Sequence, residues 1–297
     1  MLALLTLLLT PTLVSSLPPT AYGCKSTCRS VFDGRVPNGA TGASFDNGAL
    51  PYNNLYNLGA GLKWADVLKF PKVPTSLFDN STTKAVEVTI DDRSIFTPSP
   101  SNAQIGFRRA ELLPQPANVT DAVTGIKTLH WSMRTDTTQP LNYTHEYQLV
   151  WLESQDYSAN QFVVGTGILY GNTGSSKAGK VIRVQGTNAA GSPKTIWQTQ
   201  LTDNTWHNIG LTLNYNANTL QVLYSTNGQA LQAKTAFVSN NLSNLGQYHF
   251  GVLKKPTGPA TDITKQGYQP KGIHEGIVYG GIFGEESAGG CVSLKPC

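Results

Sequence analysis

The chain has 297 residues, of which 13% are charged, and a net charge of +4. Its basic residues come at most in pairs, Arg108 with Arg109 and Lys254 with Lys255, and form no patch, which argues against a nucleic-acid partner. An apolar opening run, MLALLTLLLTPTLVSS over 1–16, is too short to cross a bilayer and reads as a secretory signal peptide, despite lacking a basic start. No other stretch approaches the roughly 20 apolar residues of a membrane helix, so no membrane partner is expected. Residues 17–297 carry no linker, repeat or low-complexity tract and are read as one domain of a secreted, extracellular, monomeric protein.

Taken in order, the chain first presents Cys24 and Cys28, with Cys291 and Cys297 at the far end. In an oxidising compartment an even count implies two disulfides, and three pairings are open. Helical periodicity is scarce; one turn is predicted within 61–69, GLKWADVLK. From there the pattern is strand, turn, strand: VEVTIDD, GFRRAELLP, LHWSMRTD, HEYQLVWLE, QFVVGTGIL, KVIRVQGT, TIWQTQL, WHNIGLTLNY, TLQVLYST, YHFGVLKK and EGIVYGGIFGE. So many short strands predict an all-β protein, a two-sheet antiparallel jelly-roll sandwich with an open concave groove. Sequons at Asn80, Asn118, Asn142 and Asn241 fit N-glycosylation. No metal-ligand cluster and no phosphate-cradling glycine loop appears, so no metal and no cofactor is expected; the glycines near the end are attributed to close strand packing.

Four of these strands alternate polar and apolar residues with period two, the mark of a strand with two different surroundings. Arg109 and Glu111 share a face of the first. His130, Ser132 and Arg134 oppose Leu129, Trp131 and Met133 in the second. Glu146 and Gln148 oppose Tyr147, Leu149 and Trp151 in the third, and Gln247 and His249 oppose Tyr248, Phe250 and Val252 in the fourth. Aligned in one sheet, these polar faces would suit a polyhydroxylated chain. On this reading Trp131 and Trp151 turn away from the groove, and Tyr52 and Tyr56 are offered as loop platforms for sugar.

DDRSIF, GFRRAELLP, KTLHWSM, PLNYTHEYQLVWLES, NTLQVLYST, QYHFGVLKKPTG and EGIVYGGIFGEESAGGC, with VFDGRVP before them, resemble glycoside hydrolase family 131 over residues 31–291. The resemblance implies a β-jelly roll and a secreted fungal enzyme that cleaves β-1,3, β-1,6 and β-1,4 linkages of β-glucan with inversion. A looser likeness joins the same strands to alginate-lyase jelly rolls. Here, however, Glu146 and Gln148 stand where the lyases carry Gln and His, Gln247 and His249 stand in place of Tyr and Lys, and Leu253 replaces the final Tyr. Glycoside hydrolysis uses a protonated and an ionised carboxyl group. Glu111 and Glu146, on strands taken as neighbours, are the predicted pair, with Glu111 kept ionised as base by Arg109 and Glu146 as acid. His249 is the third catalytic candidate. Arg109, His130, Arg134, Gln148 and Gln247 are predicted to bind substrate, with Glu153, Asp92 and Glu275 as reserve carboxylates. The alternatives are a polyuronate lyase using Arg109 and His249, and a glucan-binding protein without catalysis.

Overall fold

A computed structural model describes residues 28–296 except Tyr56, Ala190 and Ser192. Two antiparallel sheets pack face to face. The outer sheet runs in the order Gln232–Ala233, Thr219–Thr226, His207–Asn214, Ile126–Thr135, His274–Glu286, Val86–Asp91 and Leu68–Lys69. Ser30–Asp33 adds to His274–Glu286, and Val238–Ser239 to Thr219–Thr226. The inner sheet runs Thr195–Gln200, Val181–Gln185, Asn160–Gly167, Glu146–Glu153, Gln247–Lys254 and Arg108–Leu112. This is the jelly-roll sandwich that the alternating pattern predicted. The predicted turn of helix is also present, as Trp64–Val67; it gives way to strand at Leu68, and the Asp46 carboxylate caps its first N–H groups at 2.6 and 3.2 Å.

The apolar faces meet between the sheets. Leu129, Trp131 and Met133 from the outer sheet face Ala110, Leu112, Phe250 and Val252 from the inner one in a single cluster. Phe250 meets Trp131 edge-on at 5.9 Å and Tyr279 at 6.1 Å, so one inner ring is clamped by two outer ones. Truncating such a ring costs about 3–5 kcal/mol. Glu275, a reserve carboxylate, lies in this layer, where Lys254 pairs with it and the Tyr147 hydroxyl donates to it at 2.7 Å. It therefore faces no groove.

Two irregularities set how the inner sheet is phased. Between Gln148 and Val150 the register against Asn160–Gly167 shifts, leaving Leu149 without an opposite residue. The neighbouring strand shifts between Phe250 and Leu253. The Tyr279 hydroxyl crosses from the outer sheet to the carbonyls of Leu149 and Gly251, at 2.9 and 2.7 Å, which are the carbonyls these bulges turn inward. In the outer sheet, Gly280 and Gly281 pass so close to Ser76, Phe78 and Asp79 that an added Cβ would lie within 2.8 Å of them, which agrees with the close packing inferred for these glycines.

Cys28 and Cys291 form a disulfide across a separation of 263 residues, which ties the first strand region to the last. Closing a loop of that length removes about 5–6 kcal/mol of chain entropy from the unfolded state. Cys24, Cys297 and the apolar opening run lie outside the described residues. Asn80, Asn118, Asn142 and Asn241 are all exposed. Among the described residues no helix is long and apolar enough to cross a membrane.

Candidate active site

The outward face of the inner sheet gathers the chemistry. Register places Glu111 opposite Gly251 and Arg109 opposite Leu253 on one side of strand Gln247–Lys254. On its other side, His249 is opposite Trp151 and Gln247 is opposite Glu153. Residues directly opposed in an antiparallel pair share a face, so Arg109, Glu111, His249, Gln247, Trp151 and Glu153 all point the same way. Gly251 is required there: a Cβ would sit 2.1 Å from the Ala110 carbonyl oxygen and 2.6 Å from the Glu111 Cα.

Trp151 and Glu153 are the first correction. Strict alternation from Glu146 and Gln148 sends Trp151 into the core, yet it lines the groove and packs with Phe107, Val163 and Leu253 in a separate cluster. The unpartnered Leu149 changes the phase. Tyr147, Leu149, Val150 and Leu152 all enter the main core, with two consecutive inward residues at 149–150. Everything beyond them is flipped, because one extra residue moves each later side chain to the other face. The run of four apolar residues from Leu149 to Leu152 was the available signal.

At the floor of the groove, Arg109 grips Glu111 through Nε at 2.5 Å and Nη2 at 2.6 Å, and its Nη1 donates to Gln104 at 3.1 Å. His249 stands between two carboxylates. Its Nδ1 is 3.2 Å from Glu111 Oε2, and its Nε2 is 3.3 Å from Glu153 Oε2. The imidazole stacks on Trp151 at 4.6 Å with 12° between planes, and Asn57 Nδ2 is 3.4 Å from Nδ1. Burial alone would push the Glu111 carboxyl up, but the Arg109 charge and the hydrogen bonds from His249 and Arg109 outweigh it and hold it below its ordinary range. Burial would likewise depress His249, but Glu111 and Glu153 outweigh it and raise its pKa. Of the two carboxylates, Glu111 is fully enclosed, whereas the Glu153 side chain is 27% exposed.

Above this array lies a groove of about 930 Å³, lined by the amides of Asn53, Asn57, Asn102, Gln104, Gln148, Asn160, Asn188 and Gln247. Its two cations are both neutralised, Arg109 by Glu111 and Lys255 by Glu146 at 2.6 Å. Among the described residues, such a surface offers many neutral donors and acceptors and no free positive charge.

Other predicted residues fall elsewhere. Glu146 shares the inner sheet, but strand Gln247–Lys254 separates its strand from that of Glu111, which corrects the expectation that the two are neighbours. Glu146 accepts from Lys255 and from the Tyr170 N–H at 2.7 Å and borders a second hollow of about 390 Å³ with Tyr170 and Pro256. His130 and Arg134 do not reach the groove, because strand Ile126–Thr135 belongs to the outer sheet. The buried His130 Nε2 meets Glu285 at 2.9 Å, while Arg134 donates to the Asn204 carbonyl at 2.7 Å. Alternation was read correctly on that strand; which sheet it joined was not encoded in it. Asp92 accepts the Gly272 and Ile273 N–H groups at 2.9 and 3.0 Å. Tyr52 is buried, its hydroxyl donating to the Gly34 carbonyl at 2.6 Å, and so presents no platform. Tyr56 is outside the described residues. Arg109, Gln148 and Gln247 line the groove, and His249 lies buried beneath it.

Residues 30–290 match the Glycoside hydrolase 131 catalytic N-terminal domain. The chain belongs to glycoside hydrolase family 131. No functionally curated protein matches it. Among solved structures, a family 131 β-glucanase catalytic domain from Podospora anserina is similar with a TM-score of 0.69 and 20% identity, over 90% of this chain and 98% of that one. The catalytic domain of a family 131 protein from Coprinopsis cinerea gives a TM-score of 0.63 and 22% identity, over 90% and 97%. At these identities the likeness is one of fold. The matched span agrees with the stretch over which the sequence resembles family 131, and the protein is a glycoside hydrolase of that family.

Proposed function

We propose that this family 131 hydrolase is a secreted enzyme that cleaves β-glucans, with β-1,3, β-1,6 and β-1,4 linkages within its range, by an inverting mechanism using Glu153 and Glu111. The observation that carries the reading is the Glu111–His249–Glu153 array, of which Glu153 opens into an amide-lined groove and the other two lie buried beneath it. A neutral glucan suits that groove better than a polyuronate, since neither cation in it is free to meet a substrate carboxylate. The position of a lyase tyrosine is held by Leu253, which cannot give or take a proton.

Contacts of 3.2 and 3.3 Å to opposite nitrogens of one ring hold the two carboxyl groups apart. A separation spanning one imidazole ring is wider than the ~5–5.5 Å of retaining enzymes and is in keeping with the roughly 6.5–9.5 Å of inverting ones. Glu111, held ionised by Arg109 and His249, is the proposed base; its side chain is fully enclosed in the free enzyme, so the role requires that docking substrate open a path for water to it. Glu153, open to the groove, is the proposed acid: it passes a proton taken up from solvent to the departing oxygen and is left as the carboxylate. The charged imidazole beside it then stabilises the carboxylate left behind, a contact that strengthens as the reaction proceeds. The 3.3 Å contact lacks hydrogen-bond alignment in the free enzyme, and such contacts tighten as substrate docks.

The test is hydrolysis of laminarin and cello-oligosaccharides, followed by the anomer of the first product. Inverted anomer with wild-type protein, and loss of turnover by roughly 10²–10⁴-fold in Glu153→Gln, is the expected result. Retained anomer refutes inversion. A Glu146→Gln variant that loses as much as Glu153→Gln would hand the acid role to Glu146. New ultraviolet absorbance on alginate would mark a lyase, and binding without products would mark a lectin-like protein.

A further inference from the structure

Of the described aromatic rings that border the groove, Tyr157 is the most open. Trp151 is covered by His249 and only 1% exposed, and Phe96 carries the Arg109 guanidinium at 5.2 Å, whereas Tyr157 is 76% exposed. It sits in the turn after strand Glu146–Glu153, with φ at 59°, a left-handed conformation that non-glycine residues seldom adopt. The turn is firmly held. The Tyr157 N–H donates to the Ser154 carbonyl at 2.9 Å, and Asp156 accepts from the Ser154 and Ser158 hydroxyls at 2.8 and 2.7 Å. The Gln155 N–H also donates to the Asn244 carbonyl at 3.2 Å, which joins this turn to the one facing it.

Tyr157 borders two spaces at once. One is the main groove, beside Glu153 and Gln247; the other is a hollow of about 240 Å³ with Pro114, Gln155 and Leu245. A linear chain leaving the catalytic floor toward that hollow passes over this ring. We propose that Tyr157 is a stacking platform for a pyranose ring of the glucan, beyond the sugars that flank the cleaved bond; this rests on the β-glucan reading above. The C–H face of a pyranose is apolar and flat, so it covers an aromatic face while its equatorial hydroxyls reach the amides of Gln155 and Gln247 at either side. The turn holds the Tyr157 backbone, so the ring's point of attachment is set before sugar arrives and less ordering is needed on binding.

The experiment compares wild-type, Tyr157→Ala and Tyr157→Phe on a length series of cello- and laminari-oligosaccharides. In Tyr157→Ala, KM should rise roughly three- to tenfold for the longest substrates. It should stay unchanged for the shortest, with kcat and melting temperature preserved. Tyr157→Phe should match wild-type, since the ring and not the hydroxyl makes the contact. An unchanged KM at every length in Tyr157→Ala overturns the platform, and so does an equal rise in Tyr157→Phe. Wild-type turnover of these glucans, measured in the same series, shows whether the β-glucan reading itself stands when the platform fails.

Discussion

Each sheet of the sandwich carries, on its outward face, a buried histidine paired with a glutamate and stacked on an aromatic ring. On the inner sheet His249 is 3.2 Å from Glu111 and stacked on Trp151 at 4.6 Å; on the outer sheet His130 is 2.9 Å from Glu285 and stacked on Phe283 at 4.4 Å. The ingredients are the same, and what lies above them differs. Phe78 packs edge-on against His130, and Ser293 donates to Glu285 through its N–H and hydroxyl, both at 2.7 Å, so the chain itself covers that pair. His249 has a second carboxylate at its other nitrogen and a groove of about 930 Å³ above the array. The two pairs are equally buried; what sets the inner one apart is its second carboxylate, Glu153, whose side chain is 27% exposed, and on the proposed function that carboxylate turns a fastening into a reactive array.

The largest effect that tests this contrast comes from removing each glutamate's charge. Glu111→Gln leaves the Arg109 guanidinium without its carboxylate in a buried place, which costs about 3–5 kcal/mol of stability. It should also lower turnover by roughly 10²–10⁴-fold per folded molecule. Glu285→Gln should cost about 1–3 kcal/mol and leave turnover per folded molecule unchanged. Denaturant unfolding with rates normalised to the folded fraction reads both. Equal losses of turnover in the two variants would break the contrast.

A smaller effect sharpens it through pH. Glu111 and Glu285 are both lowered on folding: burial opposes this, but Arg109 and His249 outweigh it for Glu111, and His130 and Ser293 for Glu285. Each stabilises fully above the ordinary carboxyl value, and that stability is lost as pH falls through the folded value. His249 is raised, since Glu111 and Glu153 outweigh its burial, so it stabilises fully below about 6.5, the ordinary imidazole value, and loses that contribution as pH rises through the folded one. The groove array therefore weakens at both ends of the range. Melting temperature followed against pH should show the alkaline loss in wild-type and a flatter alkaline limb in His249→Asn. An unaltered alkaline limb in that variant would mean that His249 is not the group responsible.

How much of this was legible in the sequence follows from what period two can and cannot encode. Alternation located the long strands and put Arg109 with Glu111, and Gln247 with His249, on common faces, because each such face is set by residues two apart. It could not say which sheet a strand joins, so His130 and Arg134 were assigned to the groove although their strand pairs with His207–Asn214 and His274–Glu286. Pairing is a long-range property, and two amphipathic strands look alike whichever side of the core they occupy. Nor could it count past a bulge: Glu153 stands on the groove face, where alternation continued unbroken through Leu149 would turn it to the core. The consecutive apolar residues at 149–152 break the period, and that break is what carried Trp151 and Glu153 to the groove.

The smallest effect concerns what keeps that break in place. A bulge turns carbonyls away from their strand partners, and a carbonyl left bare in the core is expensive. The Tyr279 hydroxyl answers this for both inner strands, sharing its single proton between the Leu149 and Gly251 carbonyls from the opposite sheet. Burial raises its pKa well above the ordinary phenol value, so it remains a donor at every working pH. Tyr279→Phe keeps the ring that packs on Phe250 and removes only the hydroxyl. We expect a loss of about 0.5–1.5 kcal/mol in stability, together with a several-fold fall in kcat at unchanged KM, because Trp151 and Glu153 hold their phase by virtue of the bulge at Leu149. Oligosaccharide kinetics beside denaturant unfolding separate the two. If stability falls while kcat is preserved, packing of Leu149 and Val150 in the core fixes the phase by itself, and the hydroxyl satisfies the carbonyls without positioning the catalytic face.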